Sequence, residues 1–195
     1  MAVSTQTPGK LRIIGGQWRS RLLPVPALEG LRPTPDRVRE TLFNWLQYDI
    51  AGARCLDLFA GSGALAFEAA SRGAESVIML ENQPAAAQLL AQNIQTLQAD
   101  TIQLLQRDAI SWLNSYTGSA FDIVFLDPPF ASQLLAEACR LLAGRMLLTE
   151  QACIYLEMNS HQTLPELPVD WHVTRQKKAG QVSYYLVRRN FNPEP

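Results

Sequence analysis

The sequence predicts a doubly wound α/β fold: a mostly parallel sheet that ends in a C-terminal antiparallel hairpin and is preceded by a small N-terminal extension. Three observations predict it. Between Arg54 and Met158, short apolar runs alternate with stretches of helical length and spacing. The first four runs are each followed by a carboxylate, Asp57, Glu81, Asp108 and Asp127, at the end of a strand where an open α/β sheet binds ligands. After the fifth run the rhythm breaks into WHVTRQKK and QVSYYLVRR, parted by Ala179-Gly180, which reads as a hairpin.

The elements follow in order. Residues 1–10 are expected to form a flexible tail and residues 11–50 a basic extension of one hairpin-like piece and one helix. RIIGGQWRSRLLPVP supplies strand pieces around Gly15-Gly16, and Pro24, Pro26, Pro33 and Pro35 punctuate the connector that follows. Thr34 offers an N-cap, Pro35 suits the first helical position and Asp36 favours the positive end of the helix dipole. Val38, Leu42, Phe43, Trp45 and Leu46 give this helix its apolar face. The main domain, 51–192, then reads as strand CLDLFA, helix 64–72, strand SVIMLE, helix 84–97, strand IQLLQ, a short helix, strand DIVFLD, helix 132–143 and strand CIYLEM.

Composition limits the chemistry. A chain of 195 residues with 47% hydrophobic and 18% charged residues is a globular protein with an adequate core. No apolar run approaches the roughly 20 residues that span a bilayer, and MAVSTQTPGK lacks the basic and apolar regions of a secretory signal. Cys55, Cys139 and Cys153 have no C-x-x-C spacing, which argues against a disulfide framework and a zinc site and assigns them to packing. A cytoplasmic, monomeric protein without metal or membrane partner is expected. The net charge of −1 conceals an asymmetry, because residues 1–54 carry eight Lys and Arg against four acids. A second basic island holds Arg175, Lys177, Lys178, Arg188 and Arg189 with no acid between its ends. Such patches attract phosphate backbones, although a charge run is also a common solvated face.

In DLFAGSGALA, Gly61 and Gly63 allow a tight turn and close backbone approach to a ligand at the N-terminus of the next helix. Glu81 lies twenty residues past Gly61, at the distance of an acceptor for ribose hydroxyls. The pattern serves any adenosine-bearing cofactor, and a ligand-free strand-to-helix turn would use the same glycines. The Asp108 carboxylate and a neighbouring backbone N–H fit an adenine amine and ring nitrogen, while Asp108 equally suits an N-cap. In LDPPF, Pro128 and Pro129 remove two N–H donors beside the Asp127 carboxylate. The result is a place with acceptors and few donors, matched to an amino group, with Phe130 as a stacking surface. The alternative is a rigid turn with Phe130 in the core.

RIIGGQWRSRLLPVP, RPTPDRVRETLFNWL, DLFAGSGALAFEAASRGA and LDPPF, in this order, resemble the RsmD family of bacterial methyltransferases, which form N2-methylguanine in 16S ribosomal RNA. The resemblance runs from about Leu11 to Arg189, with Ala66 where such proteins often have glycine and Pro35 where other residues are common. It implies a Rossmann-like class I methyltransferase sheet and S-adenosylmethionine as methyl donor. It implies that Asp57, Gly61 and Gly63 line the methionine end, that Glu81 takes the ribose, and that Asp108 and Ala109 hold the adenine. Asp127 and the Pro128 carbonyl would accept from the guanine amino group and Phe130 would flank the base. The implied partner is 16S rRNA within the 30S subunit or its assembly intermediate, contacted by Arg12, Arg19, Arg21, Arg32, Arg37, Arg39, Lys177 and Lys178. Trp18 could stack on a base, but a buried role pinning the extension suits it better. An adenine-N6 methyltransferase would share these cofactor residues. A nicotinamide-dependent oxidoreductase would leave residues 127–130 without a task, and a non-catalytic RNA-binding factor would need a degenerate site.

Overall fold

The structure is a computed structural model, and it describes residues 9–26, 34–129 and 133–190. Seven strands form one sheet: β3 (Arg54–Asp57), β4 (Ser76–Leu80), β5 (Ile102–Leu105), β6 (Phe121–Leu126), β7 (Leu148–Asn159), β8 (Trp171–Ala179) and β9 (Val182–Arg189). Their order across the sheet is β5-β4-β3-β6-β7-β9-β8. The first five run parallel, and β9 is antiparallel to both β7 and β8. The expected hairpin is therefore present, with its second strand inserted between the first and the parallel sheet. β9 earns this inner place by its sequence, since Tyr184, Leu186 and Val187 are buried, while β8 is mostly exposed.

The helices α2 (Ala64–Ser71), α3 (Pro84–Leu97), α4 (Ala109–Ser115) and α5 (Leu134–Gly144) fill the crossovers, and α1 (Asp36–Trp45) precedes the sheet. Successive side chains of a strand point to opposite faces, so two cores form. One contains Cys55, Val77, Ile123, Phe125, Cys153 and Tyr155 packed on α1, α2 and the N-terminal segment. The other contains Leu56, Leu80, Val124, Leu126 and Ile154 packed on α4 and α5. Phe43 of α1 meets Phe125 with ring centroids 6.0 Å apart, and Trp45 meets Tyr184 at 5.5 Å, which fixes α1 on the first face.

β1 (Gly9–Arg12) and β2 (Leu22–Val25) form a separate antiparallel pair. β1 thus starts within the stretch expected to be tail. This extension is built into the fold rather than hung beside it: Leu11, Ile13, Trp18, Leu23 and Val25 belong to the same core as α2. Every residue of α2 is buried, including Glu68. The Glu68 carboxylate accepts the backbone N–H groups of Ile14 and Gly15 at 2.9 and 2.8 Å and pairs with Arg72 at 2.7 Å and Arg39 at 3.4 Å. A fully buried acid survives only with such compensation. Beside it Ser71 accepts from Trp18 N–H at 3.0 Å, and its own hydroxyl donates to the Gly15 carbonyl at 2.6 Å. Gly16, at φ +75°, comes so close to the Ser71 carbonyl that a Cβ there would lie 1.7 Å from the oxygen. Trp18 is buried, as its pinning role requires.

Thr34 does not cap α1. The cap position is Pro35, whose carbonyl accepts from Val38 and Arg39 N–H, and the Thr34 hydroxyl turns instead towards Asp127. Among the described residues no helix is long and apolar enough to cross a membrane.

Candidate active site

β4, β3, β6 and β7 are parallel neighbours in the sheet, so their carboxyl ends lie side by side along one edge. Asp57 ends β3 and is buried. Burial pushes its carboxyl up to about 7, against the backbone N–H groups of Phe59 and Ala66, which favour the charged form, and with a smaller push from Glu81. Ala66 lies in the first turn of α2, so Asp57 anchors the loop to the positive end of that helix.

The loop from Phe59 to Gly63 needs its glycines. Gly61 has φ +52° and Gly63 φ +76°, conformations that cost other residues free energy. A Cβ on Gly63 would also lie 2.5 Å from Phe67 Cε2 and 2.7 Å from Leu90 Cδ2. Gly61 N–H donates to Glu81 Oε2 at 2.9 Å, and Gln83 N–H donates to Glu81 Oε1 at 2.8 Å. Each carboxylate oxygen retains a further lone pair that a hydroxyl could use. Asp108 is the exposed N-cap of α4, accepting Ser111 N–H at 2.8 Å, with Ala109 buried behind it. The cap is present, and among the described residues the second Asp108 oxygen has no hydrogen-bond partner.

Asp127 follows β6, two residues beyond Phe125, and Glu157 lies two beyond Tyr155, its pair on β7. By strand alternation both carboxylates share a face with Asp57. Asp127 is half-buried as a residue, and protein surrounds its carboxyl closely. Desolvation is therefore the main cause that raises it well above the ordinary carboxylate range, followed by Glu157 and Asp57, with the Thr34 hydroxyl opposing. Thr34 Oγ1 donates to Asp127 Oδ2 at 3.5 Å. Glu157 is itself buried and raised by desolvation, and the Tyr155 hydroxyl donates to its Oε2 at 2.6 Å. Pro128 is buried and Pro129 exposed; Phe130 lies outside the described residues.

The basic residues divide. Arg12, Arg19, Arg21 and Arg37 are exposed on the extension and α1, and Arg32 lies outside the described residues. Lys177 and Lys178 are exposed on β8, in register with Tyr184 and Ser183 and through them with Glu157 and Met158, so they flank the crevice end of the sheet. Arg39 is a correction: its side chain is wholly buried, where RNA cannot meet it. Its guanidinium donates to the carbonyls of Thr34 at 3.2 Å and Arg12 at 2.8 Å and pairs with Asp36 at 2.5 Å besides Glu68. Arg188 and Arg189 are engaged by Asp49 and Asp170 at 2.7 and 2.9 Å, which removes them from the second basic island.

Thr34, Glu68, Tyr155 and Glu157 are site or supporting residues that sequence reasoning missed. The signal for two of them was present: Glu68 is an acid in the otherwise apolar helix ALAFEAAS, and Glu157 an acid in the apolar run CIYLEM.

Known proteins are similar to this chain in sequence and fold. A family model described as "Conserved hypothetical protein 95" matches residues 11–188. Ribosomal RNA small subunit methyltransferase D of Escherichia coli K12 is 48% identical over 186 residues, 95% of this chain and 93% of its own. The chain belongs to the RsmD family. Another RsmD relative, from Haemophilus influenzae, is 45% identical and covers 93% of this chain and 96% of its own. A solved structure of a candidate methyltransferase from Escherichia coli superposes with a TM-score of 0.86 at 47% identity, covering 93% of this chain and 98% of that one. The chain thus has the class I methyltransferase sheet that the resemblance implied, with the N-terminal extension included in the match.

Proposed function

We propose that the chain transfers a methyl group from S-adenosylmethionine to the exocyclic N2 of a specific guanine in 16S rRNA, within the 30S subunit or its assembly intermediate. The observation that carries the reading is the placement of Asp127 and the N–H-free Pro128-Pro129 pair beside the glycine loop of β3, in a chain of the RsmD family.

The residues present suit the cofactor. Glu81 has acceptor capacity left for the ribose hydroxyls, Asp108 and the Ala109 N–H for adenine, and Asp57 with the Gly61-to-Gly63 backbone for the methionine end. When bound, S-adenosylmethionine supplies an electrophilic methyl on a sulfonium. This chain's residues do the rest. The guanine amine is a poor nucleophile because its lone pair is delocalised into the ring. Asp127 and the Pro128 carbonyl accept its two N–H groups, pyramidalising the nitrogen and directing the lone pair at the methyl carbon. On gaining the methyl group the amine must shed one proton, which Asp127 or water would take up. Phe130 offers the flanking surface for the base, which must be unpaired or flipped out to reach the crevice. Arg12, Arg19, Arg21, Arg32 and Arg37 together with Lys177 and Lys178 hold the rRNA backbone, reading shape more than sequence.

Calorimetric titration tests the cofactor: S-adenosylmethionine binds and NAD does not. Binding of NAD alone would return the chain to the oxidoreductase class.

A further inference from the structure

We propose that Thr34 is a positioning residue for Asp127, held in place by the buried Arg39–Glu68 pair, so that docking of the N-terminal extension sets the geometry of the carboxylate that receives the target amine. The role assigned to Asp127 rests on the function proposed above; the contact between the two residues does not.

The argument is a continuous chain of contacts. Glu68, at the centre of α2, accepts the backbone of Ile14 and Gly15 and pairs with Arg39. The Arg39 guanidinium spreads to the Arg12 and Thr34 carbonyls at 2.8 and 3.2 Å. A planar fork that donates to two carbonyls and two carboxylates has little freedom, so the Thr34 backbone is fixed from behind. From there the Thr34 hydroxyl reaches Asp127 at 3.5 Å. Thr34 is 6% exposed, and the Asp127 carboxylate is an acceptor within reach of its hydroxyl.

Asp127 needs such a donor. The groups that bear on it electrostatically are Glu157 and Tyr155 from β7, Asp57 from β3 and Thr34. The two acids oppose its ionisation by charge, whereas the Thr34 hydroxyl supports it. A carboxylate facing two neighbouring acids, with no fixed donor, would rotate or take up a proton and cease to accept from an amine. The same contact also ties chemistry to substrate: Arg12, whose carbonyl Arg39 holds, is an exposed cation of the rRNA-facing extension.

The test follows the Asp127 13Cγ signal in protein labelled with 13C-aspartate, assigned by its loss in Asp127→Asn, through a pH titration of wild type, Thr34→Val and Thr34→Ser. Thr34→Val removes the hydroxyl and keeps the shape; its midpoint moves up by about half a pH unit or more, and Thr34→Ser stays with wild type. Thr34→Ala repeats the hydroxyl-free measurement should Thr34→Val not fold. In methyl transfer to unmodified 30S subunits, Thr34→Val loses roughly tenfold in kcat near pH 7 with KM for 30S unchanged, recovers at higher pH, and is rescued by serine. An unchanged midpoint in the hydroxyl-free variants, or an equal shift in Thr34→Ser, overturns the proposal. If wild type moves the methyl group to no RNA while the titration shift is present, the function proposed above fails and the Thr34–Asp127 contact stands.

Discussion

Gly61 donates its backbone N–H to Glu81 Oε2 across 2.9 Å, joining the glycine loop after β3 to the acid after β4. With Gln83 on the other oxygen, the acceptor proposed for the ribose is oriented before any ligand arrives. Glu81→Ala removes the ligand's acceptor and frees the loop together. S-adenosylmethionine affinity, measured by calorimetry, falls at least about tenfold, as expected for charge-assisted hydrogen bonds of roughly 1.5 to 3 kcal/mol. Unchanged affinity would remove Glu81 from the cofactor site.

Gly63 is constrained twice, by φ +76° and by Phe67 and Leu90 within 2.7 Å of a virtual Cβ. Gly63→Ala lowers stability by roughly 2 to 4 kcal/mol, combining left-handed strain with overpacking. The denaturant midpoint measures this, with an unchanged m-value showing that the shift is a change in stability rather than in the surface exposed on unfolding.

Glu68 and Arg39 illustrate what the sequence displays and what it conceals. The placement of Asp57, Gly61, Gly63, Glu81, Asp108 and Asp127 at or just after strand ends could be read because each ends or follows an apolar run. Arg39 was misread because it lies among exposed arginines in the chain, although it falls on the buried stripe of α1 with Val38, Leu42 and Phe43. Its partners come from positions 12, 34, 36 and 68, and no local pattern encodes that convergence. Thr34 was read as a cap for a similar reason: its sequence neighbours suit a cap, while its real partner is 93 residues away. β9 also needed the structure, because alternation predicts a hairpin without telling which of its strands joins the sheet.

Removing the Glu68 charge leaves buried Arg39 with Asp36 as its remaining carboxylate and takes the acceptor from the backbone N–H groups of Ile14 and Gly15. Glu68→Leu is expected to lose roughly 3 to 5 kcal/mol of stability, the range for breaking a buried pair from one side. In contrast, Asp36→Ala at the exposed end of the same network loses about 1 kcal/mol or less.

Asp57 makes stability depend on pH. Its carboxyl titrates near 7 in the folded protein and from 3.8 in its unperturbed state, so between these values the folded state holds a proton that the unfolded chain has released. Stability from this group is complete below about pH 4 and declines as pH rises towards 7. Comparing denaturant midpoints at pH 5 and pH 7.5, wild type loses more than Asp57→Asn, and the difference isolates Asp57 from Asp127 and Glu157, whose shifts have the same sign. A loss equal in both proteins would show that Asp57 is ionised throughout.

Exposed cations of the extension and of β8 divide from the buried one. Arg19→Glu and Lys177→Glu are expected to weaken binding to 30S subunits, more at low salt than at high salt, with S-adenosylmethionine affinity unchanged. Equal affinity across the salt range would move the rRNA contact to another surface.

The most direct measurement incubates unmodified 30S subunits with methyl-labelled S-adenosylmethionine and maps the labelled nucleotide for wild type and Asp127→Ala. One labelled guanine per subunit, modified at N2, is the predicted product, with transfer by Asp127→Ala reduced at least about a hundredfold while cofactor affinity is kept. Label on adenine N6, or full transfer by Asp127→Ala, would contradict the account.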